Sequence, residues 1–150
     1  MSREDEATRI AKAVLDATLY MSLGTVDPDG RARVTPVFFA TADHRELVWV
    51  SDPRTRHSRN VEARPRIGIS VFDSGTPLER EGYGVTLEAV ADWPAGRDLD
   101  RALETLARRS AAHGGRHWGH ELIEPRAPLR VYRAVAEVVE VWPEPGFWDR

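Results

Sequence analysis

The sequence predicts a mainly β protein in which antiparallel strands form a small barrel with helices attached to it. Two observations support this fold class. Short apolar runs separated by turn residues occupy most of the chain, and helical periodicity is confined to a few segments. The 150 residues are enough for one domain, which we assign to residues 1–150 because no repeat or low-complexity linker interrupts them.

Three segments are predicted to be helical. The first begins with Ser2 and Asp5, which have the spacing of a capping box, and continues at helical spacing to about Tyr20. The second, residues 98–112, is amphipathic and places its leucines along one stripe. A short basic segment between these two is the third.

A β-hairpin is predicted after the first helix. Residues 21–26 and 31–40 have the composition of strands, and the turn at 27–30 ends in a glycine that can adopt positive φ. Pro36 lacks a backbone N–H, so the second strand is expected at a sheet edge or at a bulge. The remaining predicted strands are 47–51, 66–72, 83–92 and 129–142.

The segment from Ser51 to Arg66 is strongly basic, although the whole chain has a formal net charge of −3. Pro53 suits the first turn of a short helix that Ser51 or Asp52 would cap. We expect this helix to end near Ala63, because a proline follows soon after. The charged side chains of the segment are Arg54, Arg56, His57, Arg59, Arg64 and Arg66 against Asp52 and Glu62.

A strand end followed by a helix start suits the binding of one phosphate group. The helix N-terminus offers free N–H groups and the positive end of its dipole, and Ser51 offers a hydroxyl. Arg56 and Asn60 are four residues apart and share one helix face, and arginine makes forked, charge-assisted hydrogen bonds to phosphate oxygens. A solvated helix face is the alternative interpretation, since charge runs are usually surface decoration.

Three stretches together resemble the flavin-binding split-barrel family that includes pyridoxamine 5′-phosphate oxidase. LGTVDPDGRARVTPVFF is similar to its opening hairpin, and VSDPRTRHSRNVEARPRIGISV is similar to its most specific segment. YRAVAEVVEVW is similar to its closing strand, which a Tyr-Arg pair opens and a Trp ends. The order and spacing of the stretches, more than any one motif, make the match specific.

The resemblance implies a six-stranded antiparallel split barrel and a homodimer with FMN at the subunit interface. In the family, a basic pair matching Arg56 and His57 contacts the flavin phosphate, with a hydroxyl at the Ser51 position. The family usually has Lys where this chain has His57, although related branches carry an H-x-x-N pattern. The implied cofactor-binding residues are Arg33, Val34, Thr35, Pro36, Val37, Val50, Ser51, Arg56, His57, Asn60 and Trp142.

The implied function is flavin-dependent oxidoreduction of a small molecule, and no residue stands out as a catalytic acid or base. In the true phosphopyridoxine oxidases, an Arg- and His-bearing tail after the last Trp holds the substrate phosphate. Here the sequence continues PEPGFWDR, so we expect pyridoxamine phosphate not to be the substrate. A deazaflavin (coenzyme F-420)-dependent reductase and a non-catalytic flavin or haem binder remain alternatives.

Composition excludes other classes of protein. No cysteine is present, which rules out disulfides and Cys-based metal sites, and any redox work requires a bound cofactor. The acidic net charge argues against nucleic-acid binding, and the absence of a long apolar run or a signal-like N-terminus predicts a cytoplasmic protein without membrane insertion.

His113, His117 and His120 lie close in sequence, but the neighbouring glycines favour a flexible loop over a metal site, and a haem-ligand role stays open.

Overall fold

In the computed structural model, one antiparallel sheet curls around an apolar core and three α-helices pack against the sheet. The structure describes residues 1–80, 82–122 and 128–143. The helices are α1 (Arg3–Ala17), α2 (Arg56–Ala63) and α3 (Gly96–Ala112), followed by a 3-10 turn at His120–Leu122. The strands are β1 (Tyr20–Val26), β2 (Ala32–Phe38), β3 (Ala40–Thr41), β4 (Glu46–Ser51), β5 (Arg66–Phe72), β6 (Gly84–Asp92) and β7 (Arg130–Trp142).

The strand order explains why the sheet is a split barrel. The order is β2-β1-β5-β6-β7-β4-β3, so β2 and β3 lie at opposite edges although they are consecutive in the chain. Only Phe39 separates them, and it is fully buried, with its N–H donated to the carbonyl of Leu19. A one-residue connection between opposite edges requires the sheet to curl until those edges approach each other.

The described residues therefore contain seven strands, and the prediction of six was wrong in this detail. The predicted strand at 31–40 is two strands, because the chain leaves the β1 pairing after Phe38 and pairs with β4 from Ala40. The hairpin prediction is confirmed, with Gly30 at a φ of 87°. Pro36 lies in β2, which is an edge strand, as expected for a residue that lacks a backbone N–H.

The helix boundaries differ from the predicted ones at three places. The Ser2 capping box is present, but α1 ends at Ala17 because the chain is already extended at Thr18. α2 begins at Arg56 and is capped by Thr55, not by Ser51 or Asp52, and Pro53 lies in the turn before it. α3 begins two residues early, at Gly96.

The core lies between the sheet and the three helices, and each helix contributes apolar side chains to it. Trp49 and Tyr132 are fully buried on neighbouring strands and stack with their ring centroids 5.7 Å apart. Arg109 on α3 donates hydrogen bonds to the carbonyls of Leu15, Asp16 and Thr18, which are left free at the end of α1. Of the helices in the described ranges, none has both the length and the hydropathy that crossing a bilayer requires.

Candidate functional site

The start of α2 is fixed by Thr55. Its hydroxyl accepts a hydrogen bond from the backbone N–H of Ser58 at 3.4 Å and donates one to the carbonyl of Asp52 at 2.8 Å. These bonds set the direction in which the first helical turn leaves β4. Arg56 and His57 therefore sit in a defined first turn, at the positive end of the helix.

Ser51 and His57 form a hydrogen-bonded pair at the junction of β4 and α2. The Nε2 atom of His57 lies 2.9 Å from the Oγ atom of Ser51 and 3.4 Å from the hydroxyl of Thr55. Ser51 is buried at the end of β4, and burial lowers the pKa of His57 below its ordinary value of 6.5. The imidazole is therefore mainly neutral at pH 7 while no anion is near it.

A buried polar network ties α2 to the β1–β2 turn. The side-chain amide of Asn60, 2 % exposed, donates to Asp27 Oδ1 at 2.8 Å and to Thr25 Oγ1 at 3.1 Å. Its carbonyl oxygen accepts a hydrogen bond from Arg64. The hydrogen bond from Asn60, with a further one from Arg33, holds the pKa of the Asp27 carboxyl below its usual range. Asp27 is thus a stable anion that both elements share.

Two guanidinium groups converge on the Asp27 carboxylate from different elements. Arg33 on β2 places Nε 3.3 Å from Oδ1, and Arg56 on α2 places Nη1 3.8 Å from Oδ2. The second distance is too long for a hydrogen bond, so the donors of Arg56 remain available.

These two arginines belong to a cleft between the β1–β2 turn and α2, which we call the arginine cleft. Its volume is about 550 Å³. It is lined by Asp27, Pro28, Asp29, Arg31, Ala32, Arg33, Arg56, Arg59 and Asn60.

The structure brings several of the predicted cofactor-binding residues together. Arg33, Arg56 and Asn60 line the arginine cleft, whereas Ser51 and His57 are not among its lining residues and pair with each other where β4 leads into α2. Val50 is the partly exposed residue before Ser51. Both amide hydrogens of Asn60 are used within the protein, so its contribution to binding would be indirect.

The predicted β2 residues divide between the two faces of the strand. Arg33, Thr35 and Val37 share the more buried face, whereas Val34 and Pro36 are exposed. Val34, 68 % exposed, lines a separate groove on the outer face of the sheet together with Gly24 and Gly68. The side chains of β2 thus point to both faces of the strand and do not converge on one site. Only the backbone of β2 could contact a single ligand along its length.

Trp142 and Ser51 lie at opposite ends of β7. It pairs with Gly84 at the end of β7, whereas Ser51 pairs with Arg130 at the beginning of that strand. β7 contains 13 residues, so its two ends lie roughly 40 Å apart along the strand at about 3.3 Å per residue. Trp142 instead lines a groove with Phe72 and Leu78. One copy of the chain does not bring Trp142 to the arginine cleft.

Four residues of the site were missed by sequence reasoning. The Asp-Gly pattern identified Asp27 only as a turn residue, and Arg31 and Arg59 were given no role. Thr55 carried a usable signal, because a threonine directly before a helical segment is a preferred N-cap. The contact of Asp27 with Asn60 had none, since it joins residues distant in sequence.

The predicted histidine-rich loop does not assemble a ligand cluster in the part of the chain that the structure describes. His120 pairs with Asp100 at 2.8 Å and His117 lies 3.6 Å from Glu121, both at exposed positions. His113 is the C-cap of α3. No group of three or more metal-ligating side chains is found among the described residues.

Comparison with known proteins shows the family to which the chain belongs. A family model described as "Pyridoxamine 5′-phosphate oxidase" matches residues 7–143, and the chain belongs to this family. A pyridoxine/pyridoxamine 5′-phosphate oxidase of Rubrobacter xylanophilus is 32 % identical in an alignment of 143 positions that covers 89 % of this chain. The match covers 63 % of that relative, so the chain spans less than two thirds of its length.

Solved structures share the fold at low sequence identity. A haem-binding protein from Mycobacterium smegmatis has a TM-score of 0.75 and 20 % identity, with 100 % of this chain and 56 % of that one covered. An F420 reductase has a TM-score of 0.62 and 21 % identity, with 86 % and 94 % covered. These likenesses confirm the split-barrel fold.

Proposed function

We propose that this chain is a flavin-dependent oxidoreductase that binds FMN and acts on a small organic molecule. The observation that carries the proposal is the arginine cleft, where Arg33 and Arg56 converge beside a helix N-terminus in a protein of this family. When bound, the flavin supplies the hydride chemistry. The residues of the chain bind it, orient it and tune the charge around it.

The phosphate of the cofactor would be held at the start of α2. A phosphate monoester carries nearly two negative charges, and the free donors of Arg56 and Arg33 can meet its oxygens in forked geometry. His57 would add a third donor, because a nearby phosphate raises the pKa of an imidazole and favours its charged form. The Ser51 hydroxyl, 2.9 Å from His57, fixes the ring orientation.

The backbone of β2 would lie along the flavin ring. In the described part of the sheet, β2 pairs with β1 alone, so the backbone groups on its other side are free of ladder bonds. Those residues between Arg33 and Val37 whose N–H groups point away from β1 can therefore donate to the ring edge where negative charge develops during reduction. Pro36 offers no N–H, which limits the positions that can donate.

We propose that the active form is a homodimer with C2 symmetry. The support is the position of Trp142, which lies at the opposite end of β7 from Ser51 and Arg130. A second copy related by a two-fold axis can bring its own Trp142 to the cleft of the first, and each dimer then has two equivalent sites.

The substrate is proposed to be a small molecule other than pyridoxamine phosphate. The family tail that holds the substrate phosphate follows the last Trp, and the corresponding residues 144–150 lie outside the described part of this chain. The matched relative is an oxidase of pyridoxine and pyridoxamine phosphates, so activity on pyridoxamine phosphate is the direct check. Oxygen consumption with that substrate would contradict this part of the proposal.

The first test of the cofactor is the visible spectrum of the freshly purified protein, with mass spectrometry of whatever denaturation releases. Bound FMN is the expected result. A colourless protein that gains absorbance only with added deazaflavin would replace FMN by coenzyme F-420, and a Soret band would indicate haem. Reduction of the bound cofactor by a dihydronicotinamide donor, followed by reoxidation over many cycles, distinguishes an enzyme from a non-catalytic binder.

A further inference from the structure

We infer that the arginine cleft contains a second anion subsite, formed by Arg31 and Arg59, for a second anionic group on the same ligand. The inference rests on the proposal that Arg33 and Arg56, the inner pair, hold the first phosphate. Arg31 and Arg59, the outer pair, line the same cleft, and neither of their guanidinium groups forms an ion pair with Asp27 among the described residues.

The outer pair has donors to offer. The Arg59 side chain makes no hydrogen bond or ion pair with any other residue that the structure describes, and Arg56 and Arg59 lie on one face of α2 at i and i+3. Arg31 pairs with Asp29 at 3.4 Å, but both side chains are mainly exposed, and such a pair holds an arginine only weakly. An arginine carries five N–H donors, so most remain free.

The charges of the cleft favour two singly charged groups over one phosphate alone. The four lining arginines exceed the two lining aspartates, Asp27 and Asp29, by two positive charges. Asp27 compensates one charge of the inner pair and Asp29 one charge of the outer pair, so each pair keeps one net positive charge. A diphosphate diester carries one negative charge on each of its two phosphoryl groups and matches this distribution.

The size of the cleft agrees with this assignment. About 550 Å³ lies within the range of roughly 300–1,000 Å³ that is typical of sites for drug-sized ligands, and an isolated phosphate fills only a small part of it. Four guanidinium groups around one cleft also repel one another when no anion is bound. FMN would satisfy the inner pair and leave the outer pair without a partner, whereas a flavin whose chain continues to a second phosphoryl group would satisfy both.

Isothermal titration with inorganic phosphate and with pyrophosphate tests the subsite without requiring flavin. The expected result is tighter binding of pyrophosphate than of phosphate by about tenfold or more, the effect of added charge-assisted hydrogen bonds. Arg59→Ala should remove most of this preference and leave phosphate affinity within about twofold. Asp29→Asn should increase pyrophosphate affinity, because it frees Arg31. Arg66→Ala, at an arginine of β5 that is 80 % exposed and outside the cleft, is the charge-matched control.

Equal affinities for the two anions, or an Arg59→Ala protein with the pyrophosphate preference of the wild type, would overturn the inference. The same loss in Arg66→Ala would also overturn it, since the effect would then be one of net charge. Titration with FMN and FAD separates this inference from the proposed function. If FMN binds and FAD binds no more tightly, only the second subsite fails; if neither binds, the flavin proposal fails and the anion titrations alone decide the subsite.

Discussion

Replacement of Asn60 by leucine tests whether this residue holds α2 to the hairpin. In the protein, the Asn60 amide donates to Asp27 and Thr25 and accepts from Arg64, and it is almost fully buried. Leucine has a similar volume but makes none of these three hydrogen bonds. Each is worth about 1 kcal/mol net, and their buried partners are left unsatisfied, so we expect a loss of about 3 kcal/mol in the free energy of unfolding.

Thermal and urea unfolding followed by circular dichroism measure this loss. For a chain of 150 residues, the melting temperature should fall by about 6–12 °C. Arg59→Ala is the matched control on the same helix, because it removes an exposed side chain without internal partners, and it should change stability by less than about 0.5 kcal/mol. A melting temperature unchanged in Asn60→Leu, with FMN binding lost, would refute the reasoning and make Asn60 a direct ligand contact.

Three further predictions concern single side chains. Arg56→Ala should weaken FMN binding by about 1.5–3 kcal/mol, roughly 10- to 150-fold, because one charge-assisted donor pair to the phosphate is lost; flavin fluorescence titration measures the change. Arg109→Ala should lower the free energy of unfolding by about 2 kcal/mol, since three carbonyls at the end of α1 lose their donor; urea denaturation measures it. His57, whose pKa is lowered by burial, takes up its proton more readily in the unfolded state, so stability should rise with pH until about 6.5. Its contribution to FMN affinity should instead fall as pH rises, because the bound phosphate favours the imidazolium.

Each of these predictions has its own control. Arg56→Ala should melt within about 2 °C of the wild type, since its nearest acidic partner is 3.8 Å away, and an unchanged FMN affinity would place the phosphate elsewhere. Arg109→Lys should recover only part of the lost stability, because an ammonium group cannot reach three carbonyls in the same fork geometry. His57→Gln is the control for His57, because the pH dependence of stability and FMN affinity that remains in it comes from the other groups and from the phosphate itself. If the stability and the FMN affinity of His57→Gln depended on pH in the same way as those of the wild type, the role of His57 would be contradicted.

Local chemistry explains the parts of the fold that the sequence predicted. The capping box at Ser2, the glycine at position 30 and the proline in β2 act within a few residues of chain, and each appears as expected. Arg56 and Asn60 line one cleft because four-residue spacing on a helix is itself a local property. The start of α2 was misplaced because three candidate caps precede it, and only the hydrogen bond from Ser58 identifies Thr55.

The remaining features depend on contacts between distant segments. Asp27 and Asn60 meet only after the hairpin packs against α2, and Arg109 reaches the end of α1 only when α3 folds back over it. The split between β2 and β3 follows from closure of the sheet, which places one edge next to the other. Periodicity and propensity describe neighbours along the chain, so none of these contacts has a signal within its own segment.

The most direct test of the central claim is the change in backbone amide resonances when FMN is added to the isotopically labelled protein. Binding of the phosphate in the arginine cleft predicts the largest shifts at residues 55–60 of α2 and at Arg33, with the Arg56→Ala protein showing much smaller shifts at the same FMN concentration. Shifts confined to the groove around Phe72 and Leu78, with α2 unaffected, would contradict the account and place the ligand at the other end of the sheet.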